Sequence, residues 1–292
     1  MKFDNAPVVT PLTLLDGNRH IYLKDETQQI SGAFKYRGAF AKLSNIPTFR
    51  KVVTASTGNH GIAVAEIAAR LGHSIHVFVP VGTPSFKLSL LRRTEVQVTV
   101  AGNHLDDCAE NAKAWAQAEG AQWISGFDDS EVVDGYRPLF EEIRKSRNAS
   151  QRVFVPVGGG GLLAAALLEC GSSEVIAVQC EAAISLERSL ASGRPERVNP
   201  SATIASGLSV PQVGQLAYDL CSVIRPRLIQ VSDEEMLFAM RLLWLKSGIR
   251  AEAAGAAALA GALRFKDDGP IPSVCVIFGG NIDGEEHAAL IG

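Results

Sequence analysis

Arg152-Val153-Phe154-Val155-Pro156-Val157-Gly158-Gly159-Gly160-Gly161-Leu162-Leu163-Ala164-Ala165-Ala166-Leu167-Leu168-Glu169-Cys170 is the stretch on which the fold turns. A β-branched and aromatic run gives way to four glycines and then to an apolar run. The spacing predicts a strand over 152–157, a loop over 158–161 and a helix over 162–170, with a further strand over 175–180. Strand, turn, helix and strand in this order imply parallel strands with helical crossovers. Four consecutive glycines carry a high conformational-entropy cost. The favoured reading is therefore an anion site of close backbone N–H groups at a helix N-terminus, with a plain tight turn as its rival. Leu163 stands where GxGxxG needs its last glycine, and no GxxxxGK[ST] is present. A single phosphate fits better than a dinucleotide or a nucleoside triphosphate.

The same grammar appears about a hundred residues earlier. Lys51 to Ala55 reads as a strand, Ser56-Thr57-Gly58-Asn59-His60-Gly61 as a polar turn, and Val64, Ile67, Ala68 and Leu71 recur at helical spacing before Gly72. Ser74 to Val79 reads as the next strand. Hydroxyls, an amide and N–H groups at a helix start suit a carboxylate. The plain alternative is an ordinary N-cap, and His60 alone reads as structural. Two such units predict an α/β protein of two lobes, each a mostly parallel sheet flanked by helices, with the ligand in the cleft at the strands' C-terminal ends. Linkers are expected at 145–151, 193–200 and 266–272.

Composition bounds the chemistry. The chain has 292 residues, 47% hydrophobic and 20% charged, with a net charge of −3. This is ample for a buried core and offers no basic field for nucleic acid or anionic lipid. Five cysteines, an odd number without CxxC spacing, argue against a disulfide framework or zinc site and fit a reducing cytoplasm. No basic start followed by an apolar run occurs in residues 1–20, so no signal peptide is expected. The apolar stretch 251–263 is too short to span a bilayer. In Ser31-Gly32-Ala33-Phe34-Lys35-Tyr36-Arg37-Gly38-Ala39, a lysine among small and aromatic residues can be desolvated, which favours a neutral, nucleophilic amine. Standing alone, that segment reads as a solvated lysine.

Taken in order, SGAFKYRGA, STGNHG, GGGGLL and the late Gly279-Gly280-Asn281-Ile282-Asp283 resemble the fold-type II pyridoxal phosphate (PLP) enzymes of the tryptophan synthase beta-like superfamily. The nearest branch is that of serine/threonine dehydratases and serine racemases. The likeness begins at Thr10-Pro11-Leu12 and Leu23-Lys24-Asp25-Glu26 and covers nearly the whole chain. It implies a PLP-binding lobe of 1–50 plus 132–292 and a substrate-carboxylate lobe of 51–131. By resemblance, Lys35 carries PLP as a Schiff base and moves the Cα proton, Phe34 flanks the ring, and Asn59 meets the phenolic oxygen. Gly158, Gly159, Gly160, Gly161 and Leu162 hold the phosphate, which stands near the leaving group. Ser56, Thr57, Asn59 and His60 receive the substrate carboxylate, and Thr57 lies where racemases have an opposite-face serine. Glu252 matches an acid near the ring, its plain alternative being a helix-start charge. Glu181, Ser185 and Glu187 fall where relatives bind a divalent cation, and oxygen ligands suit Mg²⁺ or Ca²⁺. A homodimer is carried over from the relatives.

The implied activity is β-elimination from a small β-hydroxy amino acid such as L-serine or L-threonine, giving a 2-keto acid and ammonia. Racemisation, β-replacement and non-catalytic PLP binding are the alternatives. Three departures bear on this. Phe278 stands where a Ser or Thr meets the pyridine nitrogen, and it cannot make that hydrogen bond; racemisation should suffer more than elimination. Ala33 replaces a serine. Gly135-Tyr136-Arg137-Pro138 replaces Gly-Gln-Gly-Thr; Tyr136 and Arg137 could reshape the pocket or read an acidic or larger side group, but the favoured reading is an outer helix start, where Pro138 is at home. The sequence stops at Gly292, soon after Asn281, so no appended regulatory module is expected.

Overall fold

A computed structural model describes residues 5–17, 20–94, 96–146, 151–265 and 271–292. Strands β1 (Leu12–Leu14) and β2 (Ile21–Asp25) precede helix α1 (Lys35–Ser44). There follow β3 (Val52–Ala55), α2 (Asn59–Leu71), β4 (Ile75–Val79), α3 (Ser85–Arg92), β5 (Gln97–Val100), α4 (Leu105–Glu119) and β6 (Gln122–Trp123). Helix α5 (Ser130–Ser146) leads to β7 (Arg152–Pro156), α6 (Gly161–Glu169), β8 (Glu174–Cys180), α7 (Ser185–Ser192) and α8 (Gln215–Ile224). Last come β9 (Arg227–Val231), α9 (Asp233–Ser247), α10 (Ala253–Arg264), β10 (Ser273–Ile277) and α11 (Gly284–Ile291).

The strands form two sheets. One has the order β1-β2-β10-β7-β8-β9, parallel except for the edge pair β1–β2. The other, β5-β4-β3-β6, is wholly parallel. Strands β4 and β7 are buried at every position, as expected for central parallel strands covered on both faces. Their Val, Ile and Phe content suits that environment. Helix α2 ends at Gly72, whose φ of 79° supplies the left-handed cap that its side-chain-bearing neighbours would resist.

Helix α10 is almost entirely Ala and Gly and almost entirely buried. A Cβ at Gly261 would lie 2.7 Å from Val178, and one at Gly255 would lie 2.3 Å from the carbonyl oxygen of Gly279. The small side chains let the helix press onto the larger sheet, which sets Glu252, its N-cap, beside the end of β10. Between the halves, Lys87 of α3 donates to Ser206 Oγ at 3.1 Å, and Arg197 pairs with Asp106 of α4.

Two expectations are corrected. Residues 135–138 are not an outer helix start, because Pro138 lies well inside α5. Gly135 is a site of helix contact, where a Cβ would fall 2.7 Å from Gly38 Cα and from Ala41 Cβ. This close crossing of α1 and α5 carries Tyr136 inward, where it is fully buried, while Arg137 faces outward to Asp134 and Glu169. The glycine turn is also shorter than expected, since Gly161 is already helical. Of the expected linkers, 193–200 is irregular, 145–146 belong to α5, and 147–150 and 266–270 lie outside the described residues.

Candidate active site

Three chain segments meet at the C-terminal ends of parallel strands. Ser56 follows β3, Gly158 follows β7 shortly after its last residue, and Phe278 follows β10. Lys35 is brought to them by the first turn of α1. The N–H of Phe34 donates to the carbonyl of Phe278 at 2.9 Å, and Ala33 bridges to Gly279. The Phe34 ring lies 5.5 Å from that of Phe278 and 4.8 Å from that of Tyr136. These contacts fix the start of α1.

Beneath that start lies a buried ion cluster. Arg37 donates to both oxygens of Glu26 at 2.8 Å and to Glu142 at 2.7 and 3.0 Å. Lys24 donates to Glu142 at 2.5 Å and to the Thr10 carbonyl at 2.7 Å. Two cations meet two anions with their hydrogen-bonding capacity largely used, the condition under which buried charge is tolerated.

The Lys35 amine donates to the carbonyl of Gly126 and stands 4.9 Å from the Phe34 ring centre and 5.5 Å from that of Tyr136. No carboxylate partners it among the described residues. Burial without a counter-charge lowers its pKa from 10.5 to about 7, so the amine is substantially neutral near neutral pH. That is the state in which it can attack an aldehyde or accept a proton.

The glycine turn faces the same region. Among the described residues the N–H groups of Gly158 to Leu162 have no hydrogen-bond acceptor, and α6 begins without a side-chain cap. Uncommitted donors at a buried helix N-terminus are an anion site in waiting. The turn is confined on both sides. A Cβ at Gly159 would meet the Phe127 ring at 2.2 Å, one at Gly160 would meet Ala217 at 2.4 Å, and Gly160 has φ of 90°.

At α2, Gly58 is the N-cap and no side chain caps the helix. Ser56 accepts from the Gly58 N–H at 3.3 Å, and Thr57 is partly exposed. Asn59 donates to Glu252 Oε1 at 2.5 Å and accepts from Asn281 at 2.7 Å. Burial raises the Glu252 pKa, while the hydrogen bond from Asn59 holds it down. His60 Nε2 lies 3.1 Å from Thr54 Oγ1, whose single proton is committed to the Ile124 carbonyl at 3.0 Å. Nε2 must therefore carry the ring proton, leaving Nδ1 as a bare acceptor, buried and without a partner among the described residues. Burial, then the Lys35 charge, lowers the His60 pKa to about 3. A neutral ring with a bare nitrogen cannot donate to a carboxylate, so any such contribution from His60 comes from its main-chain N–H.

The structure thus brings together Lys35, Phe34, Phe278, Asn59, Glu252 and the two glycine-bearing turns. It leaves Glu181, Ser185 and Glu187 elsewhere. Glu181 lies 3.8 Å from Arg264, Ser185 is buried at the start of α7, and Glu187 accepts from Gln230. Sequence reasoning missed Gly126 and set Tyr136 aside in favour of an outer helix start. The first acts through a main-chain carbonyl, which leaves no trace in residue type. The second was hidden by a glycine and a proline that mimic a turn. Two surface cavities of about 530 and 570 Å³ are lined by none of the site residues.

A sequence profile of the family described as pyridoxal-phosphate dependent enzyme matches residues 4–280. The chain belongs to this family. Among relatives of this PLP-dependent enzyme, the L-threonine ammonia-lyase of Thermotoga maritima is 35% identical over 270 residues, covering 90% of this chain and 67% of the relative. The catabolic L-threonine dehydratase of Escherichia coli is 33% identical over 273 residues, covering 90% and 83%. The solved structure of the processed form of threonine deaminase isoform 2 from Solanum lycopersicum superposes with a TM-score of 0.90 at 27% identity, covering 98% of this chain and 83% of that one. No described helix is long and apolar enough to cross a membrane, and all five cysteines are free. The donor set fits PLP: an uncapped glycine-rich helix start for an anionic tail, and a neutral-leaning amine for an aldehyde.

Proposed function

We propose that this enzyme is an ammonia-lyase that eliminates the β-hydroxyl of L-serine, L-threonine or a close relative, yielding a 2-keto acid and ammonia. The observation that carries the reading is the partly buried Lys35 amine, without a counter-charge among the described residues, beside two uncapped helix N-termini. The threonine dehydratases among the relatives add the reaction type.

Gly158 to Gly161 with Leu162 would hold the phosphate by main-chain N–H groups, and Phe34 and Phe278 would flank the ring. Asn59 and Glu252 would meet its edge. PLP, when bound, supplies the electron sink that acidifies the substrate α-carbon. The neutral amine of Lys35 accepts the α-proton at Nζ, and Thr57 faces the substrate from the α2 turn. Ser56, Thr57 and the N–H groups of Asn59 and His60 receive the carboxylate, aided by the α2 dipole. Fixing both ends of the substrate orients its α-hydrogen toward Nζ.

The same proposal divides the chain into a lobe of 51–131 and a lobe of 1–50 plus 132–292, pairs two copies as a homodimer, and places the protein in the cytoplasm. It includes a divalent cation at Glu181, Ser185 and Glu187, checked by whether Mg²⁺ or Ca²⁺ raises the melting temperature of the parent but not of Glu181→Gln. The deciding experiment is a screen of D- and L-amino acids for keto-acid and ammonia release with parent and Lys35→Ala. Borohydride followed by peptide mass analysis should place the cofactor on Lys35. Turnover that survives in Lys35→Ala rejects the assignment.

A further inference from the structure

We infer that Tyr136 is a positioning residue for the Lys35 amine, acting through the Gly126 carbonyl that both groups share. The inference rests on the assignment of Lys35 as the working amine. The Tyr136 hydroxyl donates to Gly126 O at 3.2 Å, and the Lys35 amine donates to the same oxygen. The Tyr136 ring centre lies 5.5 Å from Nζ. The phenol is fully buried and burial raises its pKa well above the ordinary value, so it remains a protonated donor throughout the working range.

The surroundings are shaped to this ring. A Cβ at Gly38 would fall 2.5 Å from Tyr136 Cε1, so α1 has a glycine where the ring crosses it. Phe34 packs on its other side. The phenol is thereby held in place against the Gly126 carbonyl.

Sharing the acceptor has a chemical consequence. A carbonyl that served only Lys35 would favour the ammonium form and hold the amine against Gly126. The hydroxyl takes part of that oxygen's capacity, which eases the amine toward its neutral form. It also keeps the carbonyl satisfied when the amine turns to the reacting carbon, which avoids an unpaired buried acceptor. The ring face opposes this moderately by attracting the cation.

The test uses Tyr136→Phe, which keeps the ring and removes the hydroxyl. In cofactor-free full-length protein, the pH dependence of Lys35 acetylation by acetic anhydride is read by peptide mass. Its half-point should rise by about half a pH unit, the size expected from one neutral hydrogen bond. In the PLP-loaded enzyme kcat should fall severalfold with KM little changed. A lowered melting temperature with the Lys35 half-point unmoved would mean a packing role alone and would overturn the inference. Failure of the lysine assignment reads differently, as turnover persisting in Lys35→Ala.

Discussion

Asn59, in the first turn of α2, donates its amide to Oε1 of Glu252, the N-cap residue of α10, at 2.5 Å. The bond ties an element following the smaller sheet to one packed on the larger sheet, directly over Gly279, where a Cβ would lie 2.8 Å from both groups. Together with the Lys87 charge, it favours the ionised form of a buried carboxylate. Burial raises the Glu252 pKa above its ordinary 4.5, and Asn59 opposes that rise.

A pH dependence of stability follows. A carboxyl whose folded pKa is raised binds a proton in the folded state that the unfolded chain has released. Its contribution to stability therefore declines as pH climbs above 4.5 through the folded value. Glu252→Gln keeps an oxygen for Asn59 and removes the ionisation. The cofactor-free variant should be more stable than the parent at pH 8, with the difference shrinking toward pH 4. Thermal unfolding across that range measures it, and a difference that ignores pH would refute the account.

His60 gives the opposite trend at lower pH. Its folded pKa of about 3 lies below the ordinary 6.5, so the unfolded chain binds the proton first as acid is added. Stability should fall between pH 6.5 and 3, with this one residue contributing a slope of about 1.4 kcal/mol per pH unit. His60→Gln should remove that share while His73, His76 and His287, also lowered by burial, keep theirs. Urea titrations at several pH values would show the flatter curve.

The ion cluster under α1 should dominate the response of the cofactor-free fold to surface-neutral changes. Glu142→Ala leaves Lys24 and one edge of Arg37 without their partner in the interior. That loss costs about 3–5 kcal/mol, the usual penalty for breaking a buried pair. Arg144→Ala, two residues away but half-exposed on a surface bridge to Glu169, should cost under about 1 kcal/mol. Chemical denaturation of the two variants side by side checks the contrast.

Much of this site was legible in the sequence because its chemistry is carried by helix starts. GGGGLL and STGNHG announce themselves by composition, and both lie at strand-to-helix junctions, with φ of 90° at Gly160 as the turn requires. The Lys35 segment gained meaning only from its company. What stayed hidden depends on tertiary contact. Tyr136 is inside because Gly135 and Gly38 let two helices touch, and nothing local separates such a glycine from a turn glycine. The His60 tautomer depends on Thr54 and Ile124, brought alongside by strand pairing. The Phe278 ring fills space beside Phe34 and Gly207, which gives it a packing role that residue type alone does not disclose.

The glycine turn supplies the sharpest discrimination between cofactor grip and backbone comfort. Gly171 and Gly160 both have positive φ, 59° and 90°, yet a Cβ at Gly171 meets nothing within 4 Å while one at Gly160 lies 2.4 Å from Ala217 Cβ. Gly171→Ala should therefore cost only left-handed strain, about 1–2 kcal/mol of stability, and leave PLP affinity unchanged. Gly160→Ala adds a clash with the Ala217 methyl, which has no rotamer to escape by, so either α8 or the N–H groups of the turn must move. Gly159→Ala instead drives a methyl into the Phe127 ring at 2.2 Å. Both changes disturb the donors that would hold the phosphate, so PLP affinity should fall at least a hundredfold, equivalent to about 3 kcal/mol. Absorbance titration with PLP and competition by inorganic phosphate read the effect directly. Equal cofactor affinity in the Gly160 and Gly171 variants would separate the turn from the phosphate.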